Sequence, residues 1–474
     1  MRINNIDISK TIKNAETLLL EDISLSARIR HIVDLLILIV KLLVKRVGLN
    51  SNNSSKPPSL DPKRKRGSRR KSKGRKRKPG GQKGHKGNTL KKVNNPDLIE
   101  TIVVNRRTIP PGNYTRIGFE TRQVIEIKVS RVVTEYRAEI LQDDNGTQFV
   151  ADFPSDVRRP IQYGASVKAN AVYLSQYQLL PYDRIRDYFA DHKDIPLSSG
   201  SVFNFNKEAY RLLEKFENIA INQVTKQDVL GADETGINVN GKNLWLHSLS
   251  NNSWTLFFPH QRRGKEAMID IGVLPNFNGI LCHDHWKPYF HFACQHALCN
   301  AHHLRELEFA IEQDHQKWAK QMKKLLLEMN KAKKAAGGAL KEQAAEKFRR
   351  RYRDILKSGD KECPGPEKNS NKPGRTAKSK SRNLLERLRD FEVETLRFLT
   401  NKEVPFTNNQ SENDLRMTKV QQKISGCFRS FEGAKIFCRI RSYITTCRKH
   451  GVAPTDALEL LFSGKLPDFI NKLE

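Results

Sequence analysis

Three acids in this sequence have the type and placement for metal chemistry. Asp233 closes the apolar run DVLGAD, Asp284 closes GILCHD 51 residues later, and Glu412 opens a helical stretch another 128 residues on. Each apolar run reads as a central strand, and acids at strand ends project from a sheet edge, where sites in α/β folds gather. Taken singly, an acid after a strand is a common turn residue or helix cap. Glu412 and Arg416, at i and i+4, also make an ordinary surface ion pair. Taken together, three convergent carboxylates repel one another and have no role in a core. They make sense as ligands of shared divalent cations. Two Mg²⁺ ions ~3.5–4 Å apart activate an attacking oxygen and stabilise a leaving one in phosphodiester chemistry. Mg²⁺ favours oxygen ligands and few protein carboxylates, and Mn²⁺ shares that preference and is expected to substitute. Glu234 reads as a turn residue or a support for Asp233.

Those acids need a scaffold. DVLGAD, NLWLHSLS and SWTLFFP are strand candidates in meander order, GKEAMIDIGVL reads as a helix, GILCHD as a fourth strand, and HALCNAHHLRELEFAIEQ as the next helix. Three strands, helix, strand, helix is the order an RNase H-like core requires. Residues 314–352 are Lys-, Ala- and Glu-rich and helical, and 357–382 form a basic flexible stretch. The span 311–395 therefore reads as a helical insertion, dividing the core into 227–310 and 396–450, with 451–474 as a C-terminal tail. A second candidate cluster is Cys299-x-x-His302, with Cys282, Cys294, His296 and His303 nearby. No second half-site repeats that spacing, so the reading adopted is a core-facing structural pair rather than a zinc site.

The front half has a different character. The chain has 474 residues with a net charge of +32, and residues 56–92 alone hold 17 Lys or Arg against one acid, Asp61. A block this dense reads as a nucleic-acid-binding segment, the alternatives being a solvated linker or an anionic-membrane patch. No amphipathic apolar face accompanies the charges, which disfavours the membrane. Within 49–95, which reads as disordered for want of apolar residues, Arg75, Lys76, Arg77 and Lys78 between glycines and Pro79 resemble an AT-hook. Such a run lays cations along a narrow minor groove. Lys83 and Lys86 extend it. Arg416, Lys419 and Lys423 on one predicted helix are phosphate contacts or simply a basic face. Before the block, residues 1–48 read as helical. Ile29, Leu36 and Leu43 recur every seven residues, as expected of a short coiled coil or an amphipathic core helix. After it, 96–158 alternates like a small antiparallel unit with a turn at Asp143–Gly146. Residues 159–226 return to helical period as a DNA-binding or linker region, with Ser198 to Ser201 capping a helix.

Composition excludes several classes. The longest apolar stretch, Ile32 to Val44, contains Asp34 and Lys41 and is shorter than the ~20 residues of a membrane span. Seven cysteines in a long chain do not make a disulfide framework. No signal-peptide layout opens MRINNIDISK. A cytoplasmic, nucleoid-associated protein with no membrane partner is expected.

The motifs in order carry a resemblance. NSSKPPS with RKPGGQKGHKG, RPIQYGASVKANAVYLSQYQLLPYDRI, GADETG, CHDHWKPY, CNAHHLRELEF and NNQSENDLR resemble transposases of the insertion sequence 66 family, of the DDE class. The resemblance spans nearly the whole chain. It implies an α/β multidomain fold in which the RNase H-like catalytic core with its helical insertion follows a leucine-zipper-like N-terminus and a DNA-binding front. The family's acids fall on Asp233, Asp284 and Glu412. Two departures stand out. The family carries two CxxC pairs in the region of 100–150, whereas here the first cysteine is Cys282, so zinc binding by the β-rich DNA-binding module is doubtful. The family's DGY-like motif reads Asp284-His285-Trp286.

The expected activity is Mg²⁺-dependent hydrolysis at the element's ends followed by attack of the freed 3′-OH on target DNA. No Ser or Tyr nucleophile is assigned. Expected partners are double-stranded DNA (terminal repeats and target), further copies of the chain, and small accessory proteins of the same element. Two other classes stay open at this point: a decayed DNA-binding regulator, and an RNase H-like structure-specific nuclease that cuts without joining.

Overall fold

The computed structural model describes residues 2–3, 6–21, 26–47, 49–54, 90–366 and 378–473. Arg75, Lys76, Arg77, Lys78, Lys83 and Lys86 lie outside the described residues, as does most of the basic segment. At the N-terminus a two-residue hairpin, β1 (Arg2–Ile3) and β2 (Ile6–Asp7), leads into α1 (Ile8–Glu21) and α2 (Ala27–Val47). Lys41 on α2 pairs with Glu16 on α1. The heptad positions Ile29, Leu36 and Leu43, with Ile32 and Ile39 beside them, all remain exposed on this single chain.

The segment read as a β-rich module is corrected by the structure. Across 96–158, ladder pairing is confined to β3 (Ile140–Gln142) and β4 (Gln148–Val150). Asp143 Oδ1 closes their turn by accepting from the amides of Asn145 and Thr147 at 2.9 and 2.8 Å. The remaining alternating stretches form no ladder among the described residues, and their apolar side chains are largely exposed. Alternation marks a strand only where a second surface covers its apolar face.

The helical region that follows is not a linker. α3 (Ala165–Val172), continued by a π-turn at Tyr173–Tyr177, α4 (Tyr182–Lys193), α5 (Ser199–Leu212) and α6 (Glu214–Thr225) share one core with the sheet. Ser198 caps α5 as its sequence indicates, accepting from the Ser201 amide at 3.0 Å. Phe216 of α6 packs edge-on against Tyr443 at 5.1 Å and stacks towards Trp254.

The sheet contains β5 (Val229–Val239), β6 (Lys242–Ser250), β7 (Thr255–His260), β8 (Ile280–His283) and β9 (Gln295–Leu298), in the order β7-β6-β5-β8-β9. The first three form an antiparallel meander, and β8 and β9 add on parallel to β5. Asn240 and Gly241, both at positive φ, make the β5–β6 turn. α7 (Lys265–Ile271) carries the chain across to β8. The stretch HALC was read as the start of a helix. Its first three residues lie in β9 instead, Cys299 holds the N-cap position, and the helix begins at the next residue as α8 (Asn300–Gln313). Four residues are too few to show a period.

Among the described residues the insertion contains α9 (Lys317–Ala335), α10 (Glu342–Glu362), α11 (Lys380–Asp390) and α12 (Glu392–Leu396). They have their own core, in which Trp318, Met322, Tyr352 and Leu385 are fully buried. Leu307 and Ala310 of α8 join that core, as do Leu396, Leu399 and Val404. The insertion therefore rests on the sheet's last helix and returns later than residue 395. α13 (Asn409–Ser425) and α14 (Phe431–Lys449) then close the sheet. The amides of Thr255 and Phe257 on edge strand β7 donate to Thr446 Oγ1 and Ser442 Oγ of α14, at 3.1 and 2.9 Å. The C-terminal stretch read as a tail is α15 (Pro454–Phe462) and α16 (Asp468–Asn471), whose Leu458, Leu461 and Ile470 are buried in the sheet's core. The chain is thus a mixed α/β protein with an all-helical insertion.

Candidate active site

Strand register brings the first two acids level. β5 pairs in parallel with β8 through Val229–Ile280, Leu230–Leu281 and Gly231–Cys282. Two residues further along each chain stand Asp233 and Asp284. Asp284 lies just past the end of β8, as its sequence indicates. Asp233 does not end its strand: β5 runs on to Val239, paired with β6. The parallel partner stops first, so Asp233 still stands where the sheet opens beyond β8. Both carboxylates are held by local amides. Asp233 Oδ1 accepts from the Glu234 amide and Asp284 Oδ1 from the Trp286 amide, each at 2.9 Å.

The third acid arrives through a tight helix-on-strand contact. Glu412 sits in the first turn of α13, where the helix dipole favours a carboxylate. Asn408, buried just before the helix, donates from Nδ2 to the Ala232 carbonyl at 2.8 Å. Ser411 Oγ meets Ser250 Oγ at 2.9 Å. Gly231 makes this approach feasible, because a Cβ there would lie 2.4 Å from both Asn408 Oδ1 and Ser411 Oγ. Asp414, one turn along α13, faces Lys449 of α14 at 3.4 Å and Thr255 Oγ1 at 3.3 Å. The motif NNQSEN therefore reads as Asn408 and Ser411 fixing the helix while Glu412 is offered to the site. The ion pair expected with Arg416 is not the one made. Glu412 Oε2 faces Arg305 of α8 at 3.5 Å.

Crowding of carboxylates has an electrostatic signature. Burial, then the neighbouring Glu234, and then Glu412 and Asp284 push the Asp233 carboxyl up to about 8. Glu234 has only 2% of its side chain exposed and is neutralised directly. Arg263 donates to its Oε1 at 2.6 and 3.0 Å, and the Tyr289 hydroxyl donates to its Oε2 at 2.6 Å. Arg263 is in turn held between the rings of Trp286 and Trp245, 4.1 and 4.8 Å from their centroids. Burial pushes the imidazoles of His247 and His285 down to about 4 and that of His283 to about 3. These rings therefore add no positive charge near neutral pH. His283 Nε2 and His296 Nδ1 share a hydrogen bond of 3.0 Å beneath Asp284.

Several neighbours of the acids were not legible in the sequence. Arg387, on insertion helix α11, pairs with Glu306; burial lowers the proton affinity of its guanidinium, and the charge of Asp284 opposes that. With Arg305, His302 and Phe309, Arg387 lines a cavity of about 360 Å³, across whose mouth lie Leu49 and Asn53. Asn53 is buried and donates to Glu312 Oε2 at 2.8 Å. No spacing in the sequence links residue 387 to residue 284. In RNLLERLRD nothing sets Arg387 apart from Arg382 and Arg389 on the same helix. Of the basic face proposed on α13, Arg416 and Lys423 are exposed and Lys419 donates to the Gly236 carbonyl. Cys299 caps α8 and is buried, and His302 is on the first turn of that helix. One ligand atom each of Cys299, His302 and Glu412 fall within 4.8 Å of one another.

Comparison with known proteins follows the same lines. Residues 8–91 match a family of unknown function (DUF6444). No curated protein matches the chain. The Transposase IS66 family matches residues 160–436, more than half of the chain and every element that positions the three acids. The chain belongs to the IS66 family of transposases, and is by that membership a DNA-acting enzyme of a mobile element.

Proposed function

We propose that this transposase is a DDE enzyme that hydrolyses DNA at the ends of its element and joins the freed 3′-OH to target DNA, using Asp233, Asp284 and Glu412. The observation that carries this reading is the meeting of β5, β8 and α13, which sets two acids in register and brings the third across Gly231. The strand order β7-β6-β5-β8-β9, with three antiparallel and two parallel strands, supports an RNase H-like core. The donor set suits Mg²⁺, with Mn²⁺ as substitute, because all three ligands are oxygens. Glu412 Oε1 is buried without a hydrogen-bond partner, and burial first, then the neighbouring carboxylates, raise the proton affinity of Asp233, a cost that a bound cation would relieve.

Two Mg²⁺ ions, when bound, would activate the attacking oxygen and stabilise the leaving one. The chain's own residues do the rest. Asp233 and Asp284 are oriented by the Glu234 and Trp286 amides, and Asp233 gives up its proton before acting as a ligand. Glu412 is held at the helix start by Asn408 and Ser411. Arg263 and Tyr289 hold the Glu234 carboxylate away from the metal-ligand position, while its charge still raises the proton affinity of Asp233. Arg305 and Arg387 supply positive charge for strand phosphates at the rim. Arg416 and Lys423 project beyond them as further phosphate contacts. No side-chain nucleophile is required.

DNA reaches this site, in the same reading, through the basic segment 56–92. Log affinity would fall with log salt at a slope of about −0.9 per phosphate neutralised. The exposed heptad face of α2 supports association of chains side by side, and accessory proteins of the element remain expected partners. No helix among the described residues is long and apolar enough to cross a membrane, and a nucleoid-associated cytoplasmic location follows from the DNA substrate. The test incubates the protein with DNA flanking its gene, Mg²⁺ and a supercoiled target, beside Asp284→Ala. Joined strands that vanish in the variant are expected. Cleavage retained in the variant would overturn the assignment, and cleavage of branched DNA without joining would replace it with a nuclease.

A further inference from the structure

Two helix starts converge beside the catalytic edge. Cys299 and His302 belong to the start of α8 and Glu412 to the start of α13, and their sulfur, ring nitrogen and carboxylate oxygen lie within 4.8 Å of one another. Backbone contacts fix the junction. The Asn408 amide donates to Cys299 Sγ at 3.1 Å, and the Asn300 amide donates to the Phe406 carbonyl at 3.1 Å. The segment leading into α13 is thereby tied to the first residues of α8. Two polar atoms of the trio, His302 Nδ1 and Glu412 Oε1, are buried with no hydrogen-bond partner. Such atoms are rare in native proteins and call for an explanation such as a bound ion.

We propose that Cys299 Sγ, the His302 imidazole and the Glu412 carboxylate form a site for a soft divalent cation of the zinc class, sharing Glu412 with the catalytic acids. The sharing, though not the site itself, rests on the catalytic reading of Glu412. Zinc takes sulfur, nitrogen and oxygen ligands at about 2.0–2.3 Å in a tetrahedron, which sets its ligand atoms about 3.4–3.8 Å apart. The trio needs to close by roughly 1 Å to reach that geometry. Three protein ligands leave a fourth position for water. Thiolate and carboxylate together match the charge of the dication, and the thiol proton is released to solvent on binding. Ligand softness sorts the ions: sulfur and imidazole select zinc here, while Asp233 and Asp284 offer only oxygens. An ion on Oε1 would leave Oε2, 3.5 Å from Arg305, as the oxygen that Glu412 offers to the catalytic cation.

Cobalt(II) added to the full-length protein tests this, because a cysteine ligand gives a near-ultraviolet thiolate-to-cobalt absorption band that zinc then displaces. One equivalent should bind. The band should persist in the Asp233→Asn/Asp284→Asn double variant and in Cys282→Ser, which removes a neighbouring buried thiol. It should be lost in Cys299→Ser, and His302→Ala should weaken cobalt binding about ten-fold or more. Circular dichroism identifies any variant that fails to fold. If Cys299→Ser does so, a shift of the visible cobalt bands in Glu412→Gln carries the same conclusion. Absence of the band from the wild-type protein, or its survival in folded Cys299→Ser, would overturn the site. Loss of the catalytic reading, seen as cleavage by Asp284→Ala, would leave the cobalt band unchanged, so the two failures are separable.

Discussion

Strand β6 and residues 123–133 have nearly the same alternating pattern and opposite fates. In β6, Leu246 and Leu249 are 0% and 4% exposed. In QVIEIKVSRVV, Val124 and Ile127 are 84% and 91% exposed. The difference is not in the residues. β6 lies between two strands and under α13 and α14, whereas no second layer covers the front stretch among the described residues. A period of two states which side chains would share a face. Only a partner surface decides whether that face is buried. The catalytic half is therefore expected to be sensitive to single substitutions, and the front half tolerant of them in the isolated chain.

The contrast can be broken or sharpened in order of effect. Asp284→Ala should abolish strand cleavage and joining while DNA-end binding in a gel-shift assay stays within about two-fold, since phosphate contacts dominate affinity. Trp318→Ala, in the centre of the insertion core, should destabilise by about 3–5 kcal/mol in urea unfolding. Gly231→Ala forces a Cβ into Asn408 and Ser411 and should cost about 1–3 kcal/mol by overpacking. Its cleavage rate should fall further than its stability loss alone explains, because Glu412 is displaced. Activity that tracks stability alone would argue against that positioning role. Ile127→Ser, in the front stretch, should change stability by less than about 0.5 kcal/mol. A large effect there would reveal a partner surface within the chain and erase the contrast.

A pH experiment sharpens the catalytic side. The folded-state pKa of Asp233, about 8, is raised above its usual carboxylate value. The folded protein therefore binds more protons than the unfolded chain across that interval, and its stability falls as pH rises towards 8. Asp233→Asn removes the titration. In metal-free buffer, its melting temperature relative to wild type should increase between pH 5 and pH 8.5. Added Mg²⁺ should stabilise the wild type most at the high end of that range, where Asp233 is free to ionise. A wild-type to variant difference that does not change with pH would show that the carboxyl is not crowded.

Much of the sheet-bearing half was legible because its signals are local. The runs DVLGAD and GILCHD place Asp233 and Asp284 on neighbouring strands, and NNQSENDLR places Glu412 at a helix start. What was missed depends on distant surfaces. β9 is four residues long and acquires its identity from β8. The helices at 165–225 and 454–471 became core only because the sheet has an apolar face to offer them. Arg387 comes to line the cavity beside His302 and Arg305 only through the packing of a whole bundle. Cys299 and His302, read as a core-facing pair, stand beside Glu412 because α13 folds back from more than a hundred residues away.

The hydroxyls of Thr446 and Ser442 that satisfy the outer edge of β7 also set a timetable. They lie 191 and 185 residues downstream of the amides they receive. At about 5–20 residues per second of synthesis, a newly made β7 waits roughly 10–40 s before its covering helix has left the ribosome. For that interval the sheet has an open edge, and open edges recruit other strands. The nascent chain is thus most prone to aggregate midway through its own synthesis. Slower translation beyond residue 260 should lower soluble yield, while slower translation before residue 228 should leave it unchanged.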